Sequence, residues 1–265
     1  MKNILEQVVD KRKETVAQLK SIVPMQAWEM MPLYYRDCLS LKQHLLNDNL
    51  TGIIAEFKRA SPSKGIINDK ADVLDVVSAY ELHGAAAVSI LTEPHFFNGD
   101  NDDIIGLRDS INIPILRKDF IFDEYQIAEA KAIGADVILL IAASLTPAEV
   151  KRLATFANGI GLEVLLELHD EEELEHICDA TSIIGINNRN LKTFDVDIER
   201  SLRMAEKIPN DKIKIAESGI DSIETICTFK NAGFKGFLIG ENFMKQPDPT
   251  IAFADFVKRL KAKVT

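Results

Sequence analysis

The chain has 265 residues, of which 46% are hydrophobic, and a formal net charge of −10 at pH 7. This charge disfavours a broad surface for nucleic acids or anionic membranes, although a local basic pocket on an acidic protein still accommodates a small anion. Cys38, Cys178 and Cys227 are far apart and form no CxxC pair, so the pattern indicates neither a disulfide framework nor a zinc site, and it fits a reducing cytosol.

The first 48 residues are predicted to form an N-terminal helical extension. Apolar side chains recur near helical spacing among charged residues, which predicts an amphipathic helix over residues 4–20. These side chains are Ile4, Val8, Val16 and Leu19. A second helical stretch is expected around residues 36–46, before the polar residues 47–49 break the pattern.

Signals for export or membrane insertion are missing from the same segment and from the rest of the sequence. The first twenty residues mix charges with apolar side chains and lack the continuous apolar core of a secretory signal. No apolar run approaches the roughly 20 residues that a membrane-spanning helix needs. We therefore expect a cytoplasmic protein whose partners include neither a membrane nor a nucleic acid.

From residue 53 onward, short apolar runs alternate with longer helical patterns. Eight runs read as buried strands: IIAEF (53–57), AAVSIL (86–91), IPILRK (113–118), DVILLI (136–141), EVLLEL (163–168), SIIGIN (182–187), KIKIAE (212–217) and GFLIG (236–240). Strands that are apolar on both faces and separated by helices predict a parallel sheet with helices outside it.

About eight such strand–helix units match a (β/α)8 TIM barrel. The alternative is a doubly wound open sheet, which is disfavoured because no GxGxxG follows the first strand and the number of units is high for that fold. We expect residues 1–265 to form a single barrel domain, with residues 1–48 as its N-terminal extension.

Local signals mark several helix ends. The sequence TPAE predicts a helix that is capped by Thr146 with proline at its first position. Aspartate caps are expected at Asp123 and Asp221. Three helices are expected to stop at glycines with positive φ just before the next strand, at Gly84, Gly134 and Gly233.

Polar residues stand where the predicted strands end, which is where a parallel barrel carries its active site. Along the chain they are Glu56 and Lys58, Thr92 and Glu93, Lys118 and Asp119, Ser144, Glu167, Asn187 and Arg189, Glu217 with Ser218 and Gly219, and Gly240 with Glu241. Side chains alternate along a strand, so Glu56 and Lys58 share the face of Ile54. By the same rule Lys118 shares the face of Leu116, and Glu167 shares the face of Leu165.

One lysine or glutamate at a strand end is ordinarily a solvated rim residue, and a glutamate–lysine pair is often only a salt bridge. Two lysines and three glutamates that converge on one mouth favour a functional site instead. No histidine among His83, His95 and His169 has partners at metal-ligand spacing, so surface or packing roles are expected for them and no metal site is predicted.

Two glycine-containing loops add a prediction of phosphate binding. The sequences AESGI (216–220) and LIGEN (238–242) each lead into a predicted helix start after the last two strands. Backbone N–H groups at such positions bind anions, and barrel phosphate sites frequently use these loops. Phe96 and Phe97 either form a wall for an aromatic substrate or anchor their loop, and the sequence leaves both alternatives open.

Taken together, these segments resemble the indole-3-glycerol phosphate synthase family. The resemblance lies in the order of IIAEFKRASPSKG, SILTEPHFFNG, ILRKDFIFDEYQI, LLELHD, IGINNRNL, IAESGI and FLIGENFM, and it covers about residues 50 to 245. The family also carries an N-terminal helical extension. Glu241 departs from the pattern, since some members have serine there, which would leave that phosphate contact to the backbone.

The resemblance implies a reaction and assigns roles to residues. The substrate would be 1-(2-carboxyphenylamino)-1-deoxyribulose 5-phosphate, converted to indole-3-glycerol phosphate, carbon dioxide and water without a metal or organic cofactor. Lys118 would be the general acid and Glu167 the general base, while Lys58 would bind the substrate carboxylate. The remaining implied residues are Glu56, Asn187 and Glu217, which would orient these groups, and Ser61, Phe97, Arg189, Ser218, Gly219, Gly240 and Glu241, which would bind substrate.

The sequence disfavours two other functions that this fold could carry. A phosphosugar isomerase such as phosphoribosylanthranilate isomerase typically needs a cysteine and an aspartate, and no cysteine stands at a strand end near the first loop. A catalytically silent barrel that binds a phosphorylated ligand or a partner subunit would be expected to lack Lys118 or Glu167. The length favours an unfused enzyme. A monomer and a complex with a separate enzyme of the same pathway both stay open.

Overall fold

The computed structural model describes residues 2–190 and 195–264, so Leu191, the last residue of the motif IGINNRNL, lies outside the described residues. Eight parallel strands close into a barrel. They are β1 (Ile53–Phe57), β2 (Ala87–Leu91), β3 (Ile115–Lys118), β4 (Val137–Ile141), β5 (Glu163–Leu168), β6 (Ile183–Asn187), β7 (Ile213–Glu217) and β8 (Gly236–Ile239). The prediction of a (β/α)8 barrel is confirmed, and every strand lies within its predicted run.

Closure of the sheet rules out the open-sheet alternative. Strand β1 pairs on one side with β2, where Ile54 is opposite Ala87, and on the other side with β8, where Ile54 is opposite Leu238. Alternate side chains of β1 pack in two different hydrophobic clusters, one between the strands and the helices and one inside the barrel. Ile53 and Ala55 pack outward against the helices, whereas Ile54 packs inside the barrel.

Within residues 2–52, three α-helices precede the first strand: α1 (Ile4–Ile22), α2 (Met25–Glu29) and α3 (Leu41–Leu45), with a 3₁₀ helix at Pro32–Tyr35 between the last two. The helix predicted over residues 4–20 is confirmed. The helix predicted around 36–46 is wrong in extent, because the backbone N–H of Leu39 donates to Asp136 and the helix begins only after its N-cap Ser40.

The helices that follow β1 in the chain surround the barrel. They are α4 (Val73–Leu82), α5 (Asn101–Arg108), α6 (Glu124–Ile133), α7 (Pro147–Gly159), α8 (Ile198–Ala205), α9 (Ile223–Asn231), α10 (Glu241–Met244) and α11 (Pro249–Val264), with 3₁₀ helices at Ala142–Ser144 and Glu171–His176. The last of these 3₁₀ helices stands between β5 and β6.

The predicted helix ends are confirmed with one exception. Thr146 forms a capping box with Glu149, and Asp123 caps α6. The predicted cap at Asp221 is wrong, because the side chain of Ser222 accepts the N–H of Thr225 and Ser222 is the N-cap of α9. The three glycines before strands have positive φ: Gly84 at 93°, Gly134 at 100° and Gly233 at 85°.

The N-terminal segment contacts both ends of the barrel. At the amino end of the strands, Leu41 and Leu45 of α3 are buried in the same cluster as Ile54. At the carboxyl end, α1 is joined to the residue after β3 by a buried ion pair in which Arg12 donates to both carboxylate oxygens of Asp119, at 2.9 and 2.7 Å. Both ends of the barrel are therefore covered by residues that precede β1.

Candidate active site

A cavity of about 370 Å³ lies at the carboxyl end of the barrel. Every residue to which the family resemblance assigned a role lines it: Glu56, Lys58, Ser61, Phe97, Lys118, Glu167, Asn187, Arg189, Glu217, Ser218, Gly219, Gly240 and Glu241. Of the other polar residues predicted at strand ends, Asp119 lines the cavity, whereas Thr92, Glu93 and Ser144 do not. The parallel strands bring these residues together because each of the catalytic candidates stands at or just beyond the end of a strand.

The floor of the cavity is a cluster of opposite charges. Lys118 Nζ lies 3.0 Å from Glu217 Oε2 and 3.4 Å from Glu167 Oε2. Lys58 Nζ lies 2.8 Å from Glu56 Oε1. All five charged side chains of this cluster are largely buried, so these attractions act with little screening by water.

The cluster sets the protonation states of the proposed acid and base. Burial disfavours the ammonium of Lys118, but Glu217, Glu167 and Glu56 outweigh burial and raise the pKa of Lys118 above its usual value. Burial also opposes the charge on Glu167, but Lys118 and His169 outweigh it and hold the pKa of Glu167 below its usual value. At neutral pH Lys118 therefore carries a proton to donate, and Glu167 is ionised.

The other two carboxyl groups of the floor behave differently from each other. Burial, to which the charges of Glu167 and Glu56 add, raises the pKa of Glu217 to about 7 in spite of Lys118. Burial is outweighed at Glu56, where Lys58 and Lys118 lower the pKa. Glu217 consequently changes its charge near neutral pH, while Glu56 stays ionised and holds Lys58.

The loops after β7 and β8, which adjoin this cluster, have the backbone geometry of an anion site. Ser218 and Gly219 both have left-handed backbone conformations, with φ of 64° and 66°. This conformation is strained for a serine, and such strain persists mainly where function requires it. Gly240 is the N-cap of α10, whose first N–H groups have no partner within the helix.

Packing within the protein also requires glycine in these two loops. A Cβ atom on Gly240 would lie 2.7 Å from Glu56 Oε1, and one on Gly219 would lie 2.4 Å from Val196 Cγ1. Larger side chains there would therefore displace protein groups as well as any bound anion, so substitution of these glycines is a poor test of phosphate binding.

Glu241 pairs loosely with cations across the same loops. Its carboxylate oxygens lie 3.7 Å from Arg189 Nη2 and 3.8 Å from Lys64 Nζ. Both cations therefore stand beside the loops after β7 and β8, and they partly offset the negative charge that Glu241 brings to this wall. Lys245 lines the cavity from the end of α10.

The two phenylalanines that the sequence left ambiguous have different roles. Phe97 lines the cavity, and its ring centroid lies 6.0 Å from that of Phe120, which lines the cavity too. The backbone N–H of Phe96 donates to the buried carboxylate of Glu93 at 2.7 Å. Phe97 therefore belongs to the wall of the cavity, and Phe96 belongs to the anchor of its loop.

Sequence reasoning missed two contributions to the site. Ile4, Leu5 and Val8 of α1 line the cavity, although the sequence predicted only the amphipathic helix that carries them. His169, expected to be a surface or packing residue, is buried with Nε2 3.0 Å from Glu167 Oε1. Its position two residues after Glu167 was a signal that could have been used, since side chains two apart share a face.

The segment after β1 is a hairpin as well as a loop. Ala60–Ser61 and Gly65–Ile66 pair as two short antiparallel strands. The Oγ of Ser61 is buried beside the cavity and has no hydrogen-bond partner in the described part of the chain.

This fold and this cavity define a (β/α)8-barrel protein with acidic and basic groups gathered at one mouth. The sequence profile of the family described as indole-3-glycerol phosphate synthase matches residues 5–256. A relative of that name from Bacteroides thetaiotaomicron is 44% identical over 261 residues, covering 98% of this chain and 100% of the relative. Another from Campylobacter jejuni subsp. doylei is 44% identical, covering 92% of this chain and 96% of the relative.

The chain therefore belongs to the indole-3-glycerol phosphate synthase family, whose members are carboxy-lyases of tryptophan biosynthesis. Among solved structures, tryptophan synthase subunit alpha from Legionella pneumophila matches with a TM-score of 0.62 and 12% identity, covering 84% of this chain and 97% of that one. A mutant alpha-subunit from Pyrococcus furiosus matches with a TM-score of 0.59 and 17% identity, covering 79% and 97%. At this identity the likeness concerns the fold alone.

Within residues 2–190 and 195–264, none of the helices is long and apolar enough to cross a membrane.

Proposed function

We propose that the protein catalyses the ring closure of 1-(2-carboxyphenylamino)-1-deoxyribulose 5-phosphate to indole-3-glycerol phosphate, with loss of carbon dioxide and water. Membership of the family supports this reaction. The observation that carries the proposal for this chain is the position of Lys118 between Glu167 and Glu217, in a cavity that the two loops predicted to bind phosphate also line.

Ring closure requires an acid at the ketone oxygen. The aryl carbon that bears the carboxylate attacks the ketone carbon, and negative charge develops on the ketone oxygen. We assign the donor to Lys118, because neighbouring carboxylates keep its ammonium protonated. The ring nitrogen then carries positive charge, and the carboxylates of Glu56 and Glu217 lie where they can stabilise it.

Loss of carbon dioxide from the attacked carbon returns the electron pair to the ring and restores its aromaticity. We assign the carboxylate to Lys58, which enters the cavity from the end of β1 and is held by Glu56 at 2.8 Å. The ion pair with Glu56 fixes the position of the Lys58 ammonium, which can still form charge-assisted hydrogen bonds to the substrate carboxylate.

Dehydration completes the indole. A base removes a proton from the ring carbon, and an acid protonates the departing hydroxyl group, which leaves as water. We assign the base to Glu167, which is ionised and accepts a hydrogen bond from Asn187 Nδ2 at 3.0 Å. Lys58 and Lys118 both face this volume, so either ammonium can supply the proton.

The phosphate would lie against the loops after β7 and β8. The left-handed backbone of Ser218 and Gly219 and the start of α10 at Gly240 and Glu241 supply N–H groups, and Arg189 supplies positive charge. We further propose that Ser61 and its hairpin cover the bound substrate, since Ser61 lines the cavity and its buried hydroxyl group has no hydrogen-bond partner among the described residues.

We extend the proposal to the organisation and surroundings of the protein. Residues 1–265 would act as a single barrel domain with residues 1–48 as its extension, in the cytoplasm, on a small phosphorylated molecule. No metal or organic cofactor and no nucleic-acid or membrane partner is required, because Lys118, Lys58 and Glu167 supply the acid, the cation and the base. A monomer and a complex with a separate pathway enzyme remain alternatives.

The decisive experiment mixes the purified protein with the substrate and follows the appearance of indole fluorescence. We expect turnover that requires both protein and substrate and that releases carbon dioxide in equal amount to indole product. A protein that binds the substrate or inorganic phosphate but never forms indole would be the silent barrel considered above, and the proposed function would be wrong.

A further inference from the structure

The two carboxylate oxygens of Glu167 have different surroundings. Oε1 accepts a hydrogen bond from Asn187 Nδ2 at 3.0 Å and lies 3.0 Å from His169 Nε2. Oε2 faces Lys118 Nζ at 3.4 Å, on the side of the cavity. One oxygen is therefore held by residues of β6 and the β5 end, and the other is directed towards the reacting groups.

His169 itself is enclosed between two carboxylates. The residue is 4% exposed, and Nδ1 lies 3.7 Å from Glu173 Oε2 in the 3₁₀ helix that follows β5. The same Glu173 oxygen accepts the backbone N–H of His169 at 2.5 Å. Neither ring nitrogen makes an aligned hydrogen bond within the described chain, so the ring is held chiefly by charge.

The charge of the ring follows from this enclosure. Burial disfavours an imidazolium, but Glu167 and Glu173 outweigh burial and raise the pKa of His169 to about 10. A histidine that stays charged at neutral pH is a fixed cation beside the proposed base, and an opposite charge at this distance lowers the pKa of a carboxyl group.

We propose that His169 is a positioning residue for Glu167, a buried cation that engages Oε1 and leaves Oε2 as the oxygen that accepts the proton. This inference rests on the proposed function, because Glu167 is a base only in that reaction. It adds a role that Lys118 cannot fill throughout the cycle. Once Lys118 has given its proton to the ketone oxygen, His169 still supplies positive charge to keep Glu167 ionised for the dehydration.

The groups that face this pair come from several strands. Glu167 meets Lys118 from β3, Asn187 from β6 and the charge of Glu217 from β7, and His169 meets Glu173. Loss of the imidazolium should raise the pKa of Glu167 by about 1 to 3 units, the usual effect of removing an adjacent opposite charge. Activity at low pH should then fall, because a protonated Glu167 cannot accept a proton.

The test compares His169→Gln, His169→Leu and the control His176→Gln by their kcat–pH profiles. His176 is buried at the end of the 3₁₀ helix that contains Glu173. Its ring nitrogens lie 3.0 Å from the backbone oxygen of Glu173 and 2.9 Å from that of Leu145. Both His169 variants should move the acid limb upward by about 1 pH unit or more. Leucine should also lower kcat more than glutamine, which keeps an N–H donor, whereas His176→Gln should leave the acid limb unmoved.

A spectroscopic measurement separates this inference from the proposed function. In the folded parent at pH 8, ¹⁵N NMR should show His169 protonated at both ring nitrogens, and Glu173→Gln should lower the pH at which that proton is lost. A neutral ring at pH 8, or a parental acid limb in both His169 variants, would overturn the positioning role. A parent that makes no indole product would overturn the function, whatever the charge of His169.

Discussion

The buried charges around Asp136 at the amino end of the barrel and around Lys118 at its mouth are satisfied to different extents. At the amino end, the carboxylate of Asp136 is fully engaged by Arg108 at 2.7 Å, Arg36 at 2.7 Å and the backbone N–H of Ile115 at 2.9 Å. At the mouth, Lys118 lies among three carboxylates, and Glu217 Oε1 has no hydrogen-bond partner within the described residues. A satisfied network stabilises a fold, and an unsatisfied one has capacity left for a ligand.

The apolar side chains that cover the two ends also differ, in how completely they are buried. Leu41 and Leu45 at the amino end are almost completely buried, at 0% and 5% exposed. Ile4 and Leu5 at the mouth are only partly buried and line an open cavity. Leucine substitutions at the amino end should therefore affect mainly stability, and removal of the proposed acid at the mouth should affect mainly turnover.

The largest effect is expected at the mouth from Lys118→Met, which keeps the length of the side chain and removes its charge. Turnover should fall by about 10² to 10⁴-fold, because the donor to the developing oxyanion is lost. Affinity for a non-reactive reduced substrate analogue should change much less, because that charge is absent from the ground state.

Single-turnover kinetics and analogue binding measure this difference, with circular dichroism to confirm folding. The exposed Lys11→Met should behave as the parent protein does. Turnover of Lys118→Met within a few-fold of the parent would show that Lys118 is not the catalytic acid.

At the amino end, Leu41→Ala should lower the free energy of unfolding by about 2 to 5 kcal/mol, since it opens a cavity in a fully buried cluster. The kcat of the folded variant should stay within a few-fold of the parent. Urea unfolding gives the stability, and Leu46→Ala, which alters a residue that is 52% exposed, is the matched control. The contrast between the ends would be broken if Leu41→Ala abolished turnover while sparing stability.

A smaller effect is expected from Glu217→Gln, and it depends on pH. Folding raises the pKa of Glu217 from 4.5 to about 7, so its protonated form is favoured in the folded state. That contribution to stability is complete below about pH 4.5 and is lost as the pH rises through about 7. Glutamine imitates the protonated form at every pH, so the stability of the variant relative to the parent should rise between pH 5 and pH 8.

The rise should approach about 3 kcal/mol, because one pKa unit corresponds to about 1.4 kcal/mol. Urea unfolding of both proteins at several pH values measures it. A difference in unfolding free energy that does not vary with pH would mean that Glu217 titrates in the folded protein as it does in the unfolded chain.

The smallest effect is expected from removal of divalent metal ions. The proposed acid and the proposed carboxylate-binding cation are Lys118 and Lys58, so dialysis against EDTA should leave both kcat and KM unchanged. Assays before and after dialysis check this expectation. If activity were lost on chelation and restored by one divalent ion, the proposal that Lys118 and Lys58 supply this chemistry without a metal would be wrong.

Local sequence signals were sufficient for the strands and for much of the mouth. The apolar runs are buried on both faces, and the alternation that placed Lys118 after Leu116 and Glu167 after Leu165 holds, because both leucines are inside the barrel. Rules of this kind work within one strand, where spacing alone decides direction.

Features that depend on contacts between distant residues could not be predicted in this way. The early residues of the second predicted helix are extended because Asp136 binds Arg36 and the N–H of Leu39. The contribution of α1 to the cavity depends on how Arg12 meets Asp119. Asp136 and Asp119 both lie outside the first 48 residues, so the periodicity of that segment could not indicate these contacts.

The ion pair between Arg12 and Asp119 also affects the order of events as the protein is made. Its partners are 107 positions apart in the chain. At about 5 to 20 residues per second, the arginine is synthesised on the order of 5 to 20 seconds before the aspartate. Throughout that interval α1 has no barrel to pack on. Ile4, Leu5 and Val8 can therefore line the cavity only after the strands, which are synthesised later, have formed.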